Sequence, residues 1–207
     1  MSIMGEFLRH PRLTGAVAPS SPALAQAMTA GLDLDRADVV VELGSGTGAI
    51  TQAILRQLAP AARLVAVELN PVFARRLTER YSDSAVEVLH GSAEDLTKLV
   101  PYQVDVVVSG LPWTVMPHER QGRILDAVTG VLSPSGRFST FAYVHAVWAP
   151  PARRFTAELA ARFSTLERSP VVWPNIPPAY VHRAATPSSS GMDLSSARTS
   201  SHQHRNT

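Results

Sequence analysis

The chain has 207 residues, which is enough for one sizeable domain and too few for two of ordinary size. Hydrophobic residues make up 45% and charged residues 17%, as in a folded globular protein, and no apolar run approaches the roughly 18 residues that a membrane span needs. A formal net charge of +2 gives no support to a nucleic-acid partner, and the absence of cysteine excludes disulfides and cysteine-based metal sites. Without a secretory signal pattern, a cytoplasmic location is expected.

Residues 1–20 are predicted to form a short helix and a loop ahead of the domain. Four apolar residues share one face of that helix, which Pro11 ends, and basic residues lie beside it: Ile3, Met4, Phe7 and Leu8, with Arg9, His10 and Arg12. Two interpretations stay open. The helix packs on the domain or covers a cofactor, or its apolar face rests on an anionic membrane surface.

Residues 39–49, VVVELGSGTGA, indicate a buried strand that leads directly into a glycine loop. Glu42 falls at the carboxyl end of the strand. The three alternating glycines, which permit a tight turn and a close approach to a ligand, are Gly44, Gly46 and Gly48. The loop fits GxGxG and, with Ala49, also the dinucleotide pattern GxGxxG/A, so the loop alone leaves the cofactor class open.

Strands and helices alternate around this loop. A helix begins after Ser21 and Pro22; strands are then predicted at 39–43, 63–68, 85–89, 104–108 and 137–144, with helices at 48–58, after Asn70 and Pro71, and after Pro117. This alternation predicts a parallel sheet covered by helices on both faces, with ligands at the carboxyl ends of its strands. Glu68 ends the second strand, and an acid about 20 residues past the loop typically holds ribose hydroxyls.

The pattern changes after the fifth strand. An amphipathic helix is predicted after Pro150 and Pro151, with four apolar residues turned inward: Phe155, Leu159, Phe163 and Leu166. The segment VVWPNIPPAYVHR, residues 171–183, predicts two short closing strands around a proline-rich turn. Serine dominates from Thr186 onward, so the domain is expected to span residues 21–185 and residues 186–207 to form a flexible tail.

Four motifs resemble those of one enzyme superfamily. ELGSGTG, LVAVEL, GSAEDL and SGLPW are similar, in this order, to the first four motifs of class I S-adenosylmethionine (SAM) methyltransferases. The resemblance implies a Rossmann-like α/β fold with a mostly parallel seven-stranded sheet, and SAM as the cofactor. A dehydrogenase gives no reason to expect SGLPW, so this motif decides between the two cofactor classes.

Within that superfamily the chain resembles the bacterial phospholipid N-methyltransferases, which convert phosphatidylethanolamine stepwise to phosphatidylcholine. The resemblance rests on TGAVAPSS, SGLPW, the FAYV strand and above all VVWPNIPPAYVHR. It implies a phospholipid amine as the acceptor and no nucleic acid. Ribosomal RNA adenine dimethyltransferases are more distantly similar, but Gly110 stands where their NLPY motif has asparagine. A methyltransferase of a soluble metabolite and a non-catalytic SAM-binding protein are the alternatives.

The resemblance also implies roles for individual residues. Glu42 would orient the loop and the methionine amino end of SAM, and Glu68 would take the ribose. Leu69 would pack on the adenine, with Ser92 and Ala93 at its edge; Ser92 replaces the acid common at this position. The remaining expected cofactor contacts are Gly44, Ser45, Gly46, Gly48 and Ser109.

Trp113 and Tyr143 are expected to wall the methyl-transfer site, although Trp113 also suits a core position. An amine acceptor must lose a proton before it is methylated, since amines of this kind are protonated near pH 7. Tyr143, His145 and His118 are the titratable candidates, and for each a packed or solvent-facing side chain is the alternative. We predict no metal site.

Overall fold

A computed structural model describes residues 20–187 of the chain. Its seven strands are β1 (Val39–Leu43), β2 (Arg63–Glu68), β3 (Val86–His90), β4 (Val104–Ser109), β5 (Leu132–Tyr143), β6 (Phe163–Arg168) and β7 (Ala179–Pro187). Its six α-helices are α1 (Pro22–Thr29), α2 (Ala49–Leu55), α3 (Pro71–Arg80), α4 (Leu96–Leu99), α5 (His118–Val131) and α6 (Pro150–Arg162). The predicted helix near the N-terminus and residues 188–207 lie outside the described residues.

All seven strands form one sheet in the order β3-β2-β1-β4-β5-β7-β6. The first five strands pair in parallel, so their carboxyl ends meet at one edge. β7 runs antiparallel to both of its neighbours, with Tyr143 at the end of β5 opposite Ala179 at the start of β7. The predicted α/β architecture with a mostly parallel seven-stranded sheet is confirmed.

Two helix starts follow directly from local sequence. The Ser21 hydroxyl accepts a hydrogen bond from the Leu24 amide at 3.2 Å, and a proline follows at the first helical position. Asn70 caps α3 in the same way, with its side-chain oxygen 2.9 Å from the Val72 amide nitrogen. Both starts agree with the prediction.

The apolar strands are covered on both faces. Val40, Leu64 and Phe141 face a cluster formed with α1 and α2, whereas Val41, Val65 and Phe138 face a cluster formed with α4, α5 and α6. Successive strand residues point to opposite faces of the sheet, so a run of valines places apolar side chains on both faces, and both are buried. No helix among residues 20–187 is long and apolar enough to span a bilayer.

The C-terminal third departs from the prediction. The last helix ends at Arg162 rather than continuing to Leu166, and Phe163–Arg168 form strand β6, because this segment pairs along the open edge of β7. The first predicted closing strand is absent, and only an isolated bridge joins Val172 to Ala179. Pro170 and Pro174 flank this bridge, and proline cannot donate to a strand ladder.

Strand β5 begins earlier than the predicted strand at 137–144 and includes residues 133–136. Leu132 pairs with Val104, but Arg137 already pairs with Val106, so the residues between them bulge out of the ladder. The regularly paired part of β5 begins at Arg137, where the sequence predicts the strand. β7 continues through Pro187, two residues beyond the predicted domain boundary.

Candidate functional site

The glycine loop lies at the carboxyl edge of the sheet, where β1 meets β2 and β4. The Gly44 amide donates to the Val67 carbonyl at 2.9 Å, and the Gly110 amide donates to the Leu43 carbonyl at 2.8 Å. These two bonds tie the loop to the ends of both neighbouring strands. The first, second and fourth motifs are therefore adjacent in space.

The loop needs glycine for two physical reasons. Gly44, Gly46 and Gly48 all have positive φ, of 72°, 51° and 82°. Space is also short: a Cβ on Gly44 would lie 2.8 Å from Leu111 Cδ2, and one on Gly110 would lie 2.9 Å from the Gly44 carbonyl oxygen. The result is a stretch of bare backbone that a ligand can approach closely.

Glu42 is fully buried beneath this loop. Its Oε2 accepts a hydrogen bond from the Thr51 hydroxyl at 2.5 Å, whereas Oε1 has no partner. Burial raises the pKa of Glu42 to about 7. The buried Ser45 hydroxyl makes no hydrogen bond of good geometry, but it lies close enough to the Glu42 carboxylate to lower the pKa of that group somewhat. Buried polar atoms are normally paired, so these two atoms suit a polar or cationic ligand.

Glu68 joins the glycine loop to the next helix. Its Oε2 accepts from the Gly46 amide at 2.8 Å, and its Oε1 accepts from the Asn70 amide at 2.7 Å. Each carboxylate oxygen keeps a further lone pair for a ligand. The neighbouring Leu69 is 42% exposed, so a ligand at this strand end can contact it.

Ser92 and Ala93 follow β3 at the same edge of the sheet. The Ser92 hydroxyl accepts from the Glu94 amide at 3.2 Å and thereby caps a short 3₁₀ turn that contains the buried Ala93. The Gly91 amide donates to the Glu68 carbonyl at 3.1 Å. Both residues thus lie beside the strand end that carries Glu68 and Leu69.

Three residues that support the loop were missed by sequence reasoning. Thr51 holds Glu42, the Arg80 guanidinium donates to the Thr47 carbonyl at 3.0 Å, and the Tyr81 hydroxyl donates to the Gly48 carbonyl at 3.4 Å. Thr51, in the first turn after the loop, offers a weak local signal. Arg80 and Tyr81 offer none, because only the packing of α3 brings them to the loop.

The SGLPW turn follows β4 and separates two environments. Ser109 is buried, and its hydroxyl accepts from the Leu111 amide at 3.4 Å. Trp113, in contrast, is only 2% exposed, stacks on Phe155 with ring centroids 4.7 Å apart, and donates from Nε1 to the Thr140 hydroxyl at 2.9 Å. Of the two positions that the sequence allows for Trp113, the structure favours the core.

Tyr143 is the last residue of β5, and His145 lies in the turn that follows it. Their rings stack with centroids 5.6 Å apart; Tyr143 is half-buried and His145 is exposed. Burial raises the pKa of the Tyr143 phenol, so this group is neutral near pH 7. His118 lies elsewhere, at the start of α5, with Nε2 3.8 Å from Glu158 Oε1 on α6. Among the three predicted titratable groups, only the first two are neighbours.

The sheet and the loop define the class of protein, a class I SAM-dependent methyltransferase. The family described as a methyltransferase domain matches residues 40–136, which include the glycine loop, Glu68 and the SGLPW turn. The chain belongs to the methyltransferase family that contains the ornithine lipid N-methyltransferase of Singulisphaera acidiphila. The two are 36% identical over 181 residues, 85% of this chain and 90% of that protein.

Further likenesses are more distant. The dimethyladenosine transferase of Saccharomyces cerevisiae is 36% identical over 97 residues, which are 46% of this chain and 29% of that protein. Among solved structures, the O-methyltransferase TomG from Streptomyces achromogenes in complex with SAM has a TM-score of 0.65 at 20% identity, covering 90% of each chain. An O-methyltransferase from Bacillus cereus gives 0.64 at 15% identity, covering 89% of this chain and 91% of that one. These two structures support the fold.

SAM is therefore the cofactor of this enzyme. The residues present fit it, because the bare glycine backbone admits a large ligand and the unpaired Glu42 oxygen suits a cationic one. The predicted cofactor residues Glu42, Ser45 and Glu68 all lie on or beside the loop, and Leu69 is exposed next to it.

Proposed function

We propose that this enzyme transfers methyl groups from SAM to the amine head group of a phospholipid, converting phosphatidylethanolamine towards phosphatidylcholine. The main support is the ornithine lipid N-methyltransferase, whose likeness to this chain covers 90% of that protein. That enzyme is named for N-methylation of an amine-bearing lipid. The sequence resemblance to phospholipid N-methyltransferases points to the same chemical class of acceptor.

We assign the cofactor contacts as follows. The carboxylate of Glu42 attracts the methionine amino end, and Glu68 takes the ribose with the lone pairs that its two backbone bonds leave free. Leu69 packs on the adenine, with Ser92 and Ala93 at its edge. The loop residues Gly44, Ser45, Gly46 and Gly48, together with Ser109, pass close to the methionine part.

When bound, SAM supplies a methyl carbon activated by a positively charged sulfur. The chain's own residues then have to position an amine, exclude water and accept a proton. Tyr143, with its neutral phenol, is assigned to orienting the amine, and its aromatic face suits an amine that gains fixed positive charge. The exposed imidazole of His145, stacked on Tyr143, is assigned as the proton acceptor.

Binding of SAM is expected to depend on pH through Glu42. In the free protein this carboxyl has a pKa of about 7, and a nearby cation favours its ionised form. Below pH 7, binding must first remove the proton, so affinity should fall about tenfold between pH 8 and pH 6. Isothermal titration calorimetry of wild type and Glu42→Gln at both pH values measures this effect. Equal pH profiles for the two proteins would contradict the assignment.

The acceptor is tested by a labelled-methyl assay. The enzyme is supplied with radiolabelled SAM and, in parallel, phosphatidylethanolamine vesicles, ornithine lipid vesicles, structured RNA and a soluble cell extract. We expect label in the phosphatidylethanolamine. Label in ornithine lipid alone would show that the acceptor is a lipid but that its head group is not ethanolamine. Label in the extract alone would favour a soluble metabolite as the acceptor. Gly44→Val, which crowds Leu111, is the cofactor-binding control.

Ribosomal RNA is a weaker second candidate. The matches to the dimethyladenosine transferases cover 46% of this chain and less than a third of the length of those proteins. Gly110 cannot supply the side-chain amide that the resembling NLPY motif carries. No labelling of any acceptor would favour a SAM-binding role without catalysis.

The location that this function requires is the cytoplasmic face of a membrane. The first ten residues, for which an interfacial helix is one of the two interpretations, lie outside the described residues, so their membrane contact stays a prediction.

A further inference from the structure

Residues 20–187 expose five large apolar side chains. One is Leu69, already assigned to the cofactor; the other four are Val115 (73% exposed), Trp148 (85%), Trp173 (70%) and Ile176 (82%). A single exposed apolar residue needs no explanation. The exposure of an isoleucine and of two of the chain's three tryptophans does need an explanation, since tryptophan usually buries most of its surface.

The four side chains come from the same edge of the sheet. Val115 follows β4 and Trp148 follows β5, so both leave at the carboxyl edge, where the glycine loop lies. Trp173 and Ile176 precede β7, whose first residue, Ala179, pairs with the last residue of β5. The Val144 amide also donates to the Pro178 carbonyl at 2.9 Å, which holds the two tryptophan-bearing segments side by side. We call these four residues the apolar edge.

The charge around Trp148, Trp173 and Ile176 is positive. Residues 144–157 and 169–178, which carry Trp148, Trp173 and Ile176, contain no acidic residue. Arg153 and Arg154, at the start of α6 and just after Trp148, are exposed, and neither side chain has an ion-pair or hydrogen-bond partner among the described residues. The nearest acid on that helix, Glu158, is held by Arg162 and His118.

We propose that the apolar edge docks on an anionic lipid bilayer, with Val115, Trp148, Trp173 and Ile176 in the interface and Arg153 and Arg154 against the head groups. Tryptophan concentrates at membrane interfaces, because its ring is apolar and its N–H stays wet. Each basic side chain near an anionic surface adds further attraction. The inference rests on the proposed lipid acceptor.

The docking geometry gives the site access to its substrate. Tyr143 is the residue directly before the turn that leads to Trp148. The SGLPW turn, which contacts the glycine loop through Gly110, leads to Val115. A lipid can therefore present its head group to Tyr143 while its acyl chains remain in the bilayer. The cost of extracting the whole lipid into water is avoided.

Tryptophan fluorescence tests this docking directly, because Trp113 is buried and the other two tryptophans are exposed. Full-length protein is mixed with vesicles of equal parts phosphatidylglycerol and phosphatidylcholine, or of phosphatidylcholine alone. We expect a blue shift with the anionic vesicles only. Sedimentation with these vesicles should fall about tenfold or more in W148A/W173A, which loses two interfacial rings.

Charge-matched controls separate docking from general electrostatics. R153Q/R154Q removes two arginines at the apolar edge, and R36Q/R56Q removes two exposed arginines near the amino ends of the strands. The first pair should weaken sedimentation and the second should leave it near the wild-type level. Equal losses in both pairs, or sedimentation of W148A/W173A equal to wild type, would overturn the proposal.

Other occupants give different results. A second copy of the chain would produce a concentration-dependent dimer that W148A/W173A abolishes, without any vesicle-induced shift. If deletion of residues 1–10 abolishes sedimentation and the wild-type tryptophans never shift, that segment alone binds the membrane. Both results overturn docking through the apolar edge.

The test also separates this inference from the proposed function. Phosphatidylglycerol has no amine, and the amine of phosphatidylcholine is already fully methylated. Neither vesicle therefore offers a methyl acceptor, and docking is measured without catalysis. A water-soluble short-chain phosphatidylethanolamine should be methylated equally by wild type and W148A/W173A, whereas long-chain vesicles should be methylated more slowly by the variant. Docking without methylation of any lipid would refute the acceptor and leave the surface standing.

Discussion

Replacement of Glu68 with alanine should weaken SAM binding by about tenfold or more, because charge-assisted hydrogen bonds contribute about 1.5–3 kcal/mol each. The carboxylate has two functions at once. It anchors the glycine loop through the Gly46 amide, at 2.8 Å, and in our assignment it accepts hydrogen bonds from the ribose. Calorimetric titration with SAM measures the change in affinity.

Two further variants make the Glu68 result specific. Glu68→Gln keeps the size of the side chain but removes the charge, so its loss should be smaller than that of Glu68→Ala. Glu87→Ala, on the adjacent strand, removes an exposed acid that forms an ion pair with Arg63, and should leave SAM affinity unchanged. An affinity of Glu68→Ala within about twofold of wild type would exclude the ribose role, since a single lost hydrogen bond of this kind exceeds that factor.

Much of the site could be predicted because its signals are local. The valine run of β1, the alternating glycines and the acid at the end of β2 lie within 30 residues of one another, and each follows from backbone geometry alone. The caps Ser21 and Asn70 are equally local. Parallel pairing then brings these strand ends to one edge without any further information.

The features that sequence reasoning missed depend on contacts between distant residues. Phe155, Leu159, Phe163 and Leu166 continue at helical spacing, yet the chain turns into β6 at Phe163 because β7 offers it a free edge. Arg80 reaches the Thr47 carbonyl only through the packing of α3. Such competition between a local period and a long-range pairing has no signature within a single segment.

Trp113 shows the same limit inside a recognised motif. The SGLPW turn correctly placed the residue after β4, but its partners, Thr140 on β5 and Phe155 on α6, come later in the chain. The indole therefore turns into the core formed by Phe138, Phe155 and Phe163. Position in a motif predicted the neighbourhood of Trp113 and did not determine which way its side chain points.

Trp113→Ala should accordingly lower the free energy of unfolding by about 3–5 kcal/mol, the usual range for removing a buried aromatic ring. The loss combines the cavity left beside Phe155 and Phe138 with the broken hydrogen bond to the Thr140 hydroxyl. Urea denaturation followed by circular dichroism measures it. Trp148→Ala is the matched control, because that indole is exposed and its loss should change stability by less than about 0.5 kcal/mol.

Trp113→Phe distinguishes a core role from a wall of the methyl-transfer site. Phenylalanine keeps the stack on Phe155 but cannot donate to Thr140, whose hydroxyl still donates to the Ser109 carbonyl at 2.9 Å. In the core role this variant loses about 1 kcal/mol of stability, and each folded molecule methylates at the wild-type rate. A normal stability with a reduced kcat would instead contradict a purely structural role and favour an indole that acts at the methyl-transfer site.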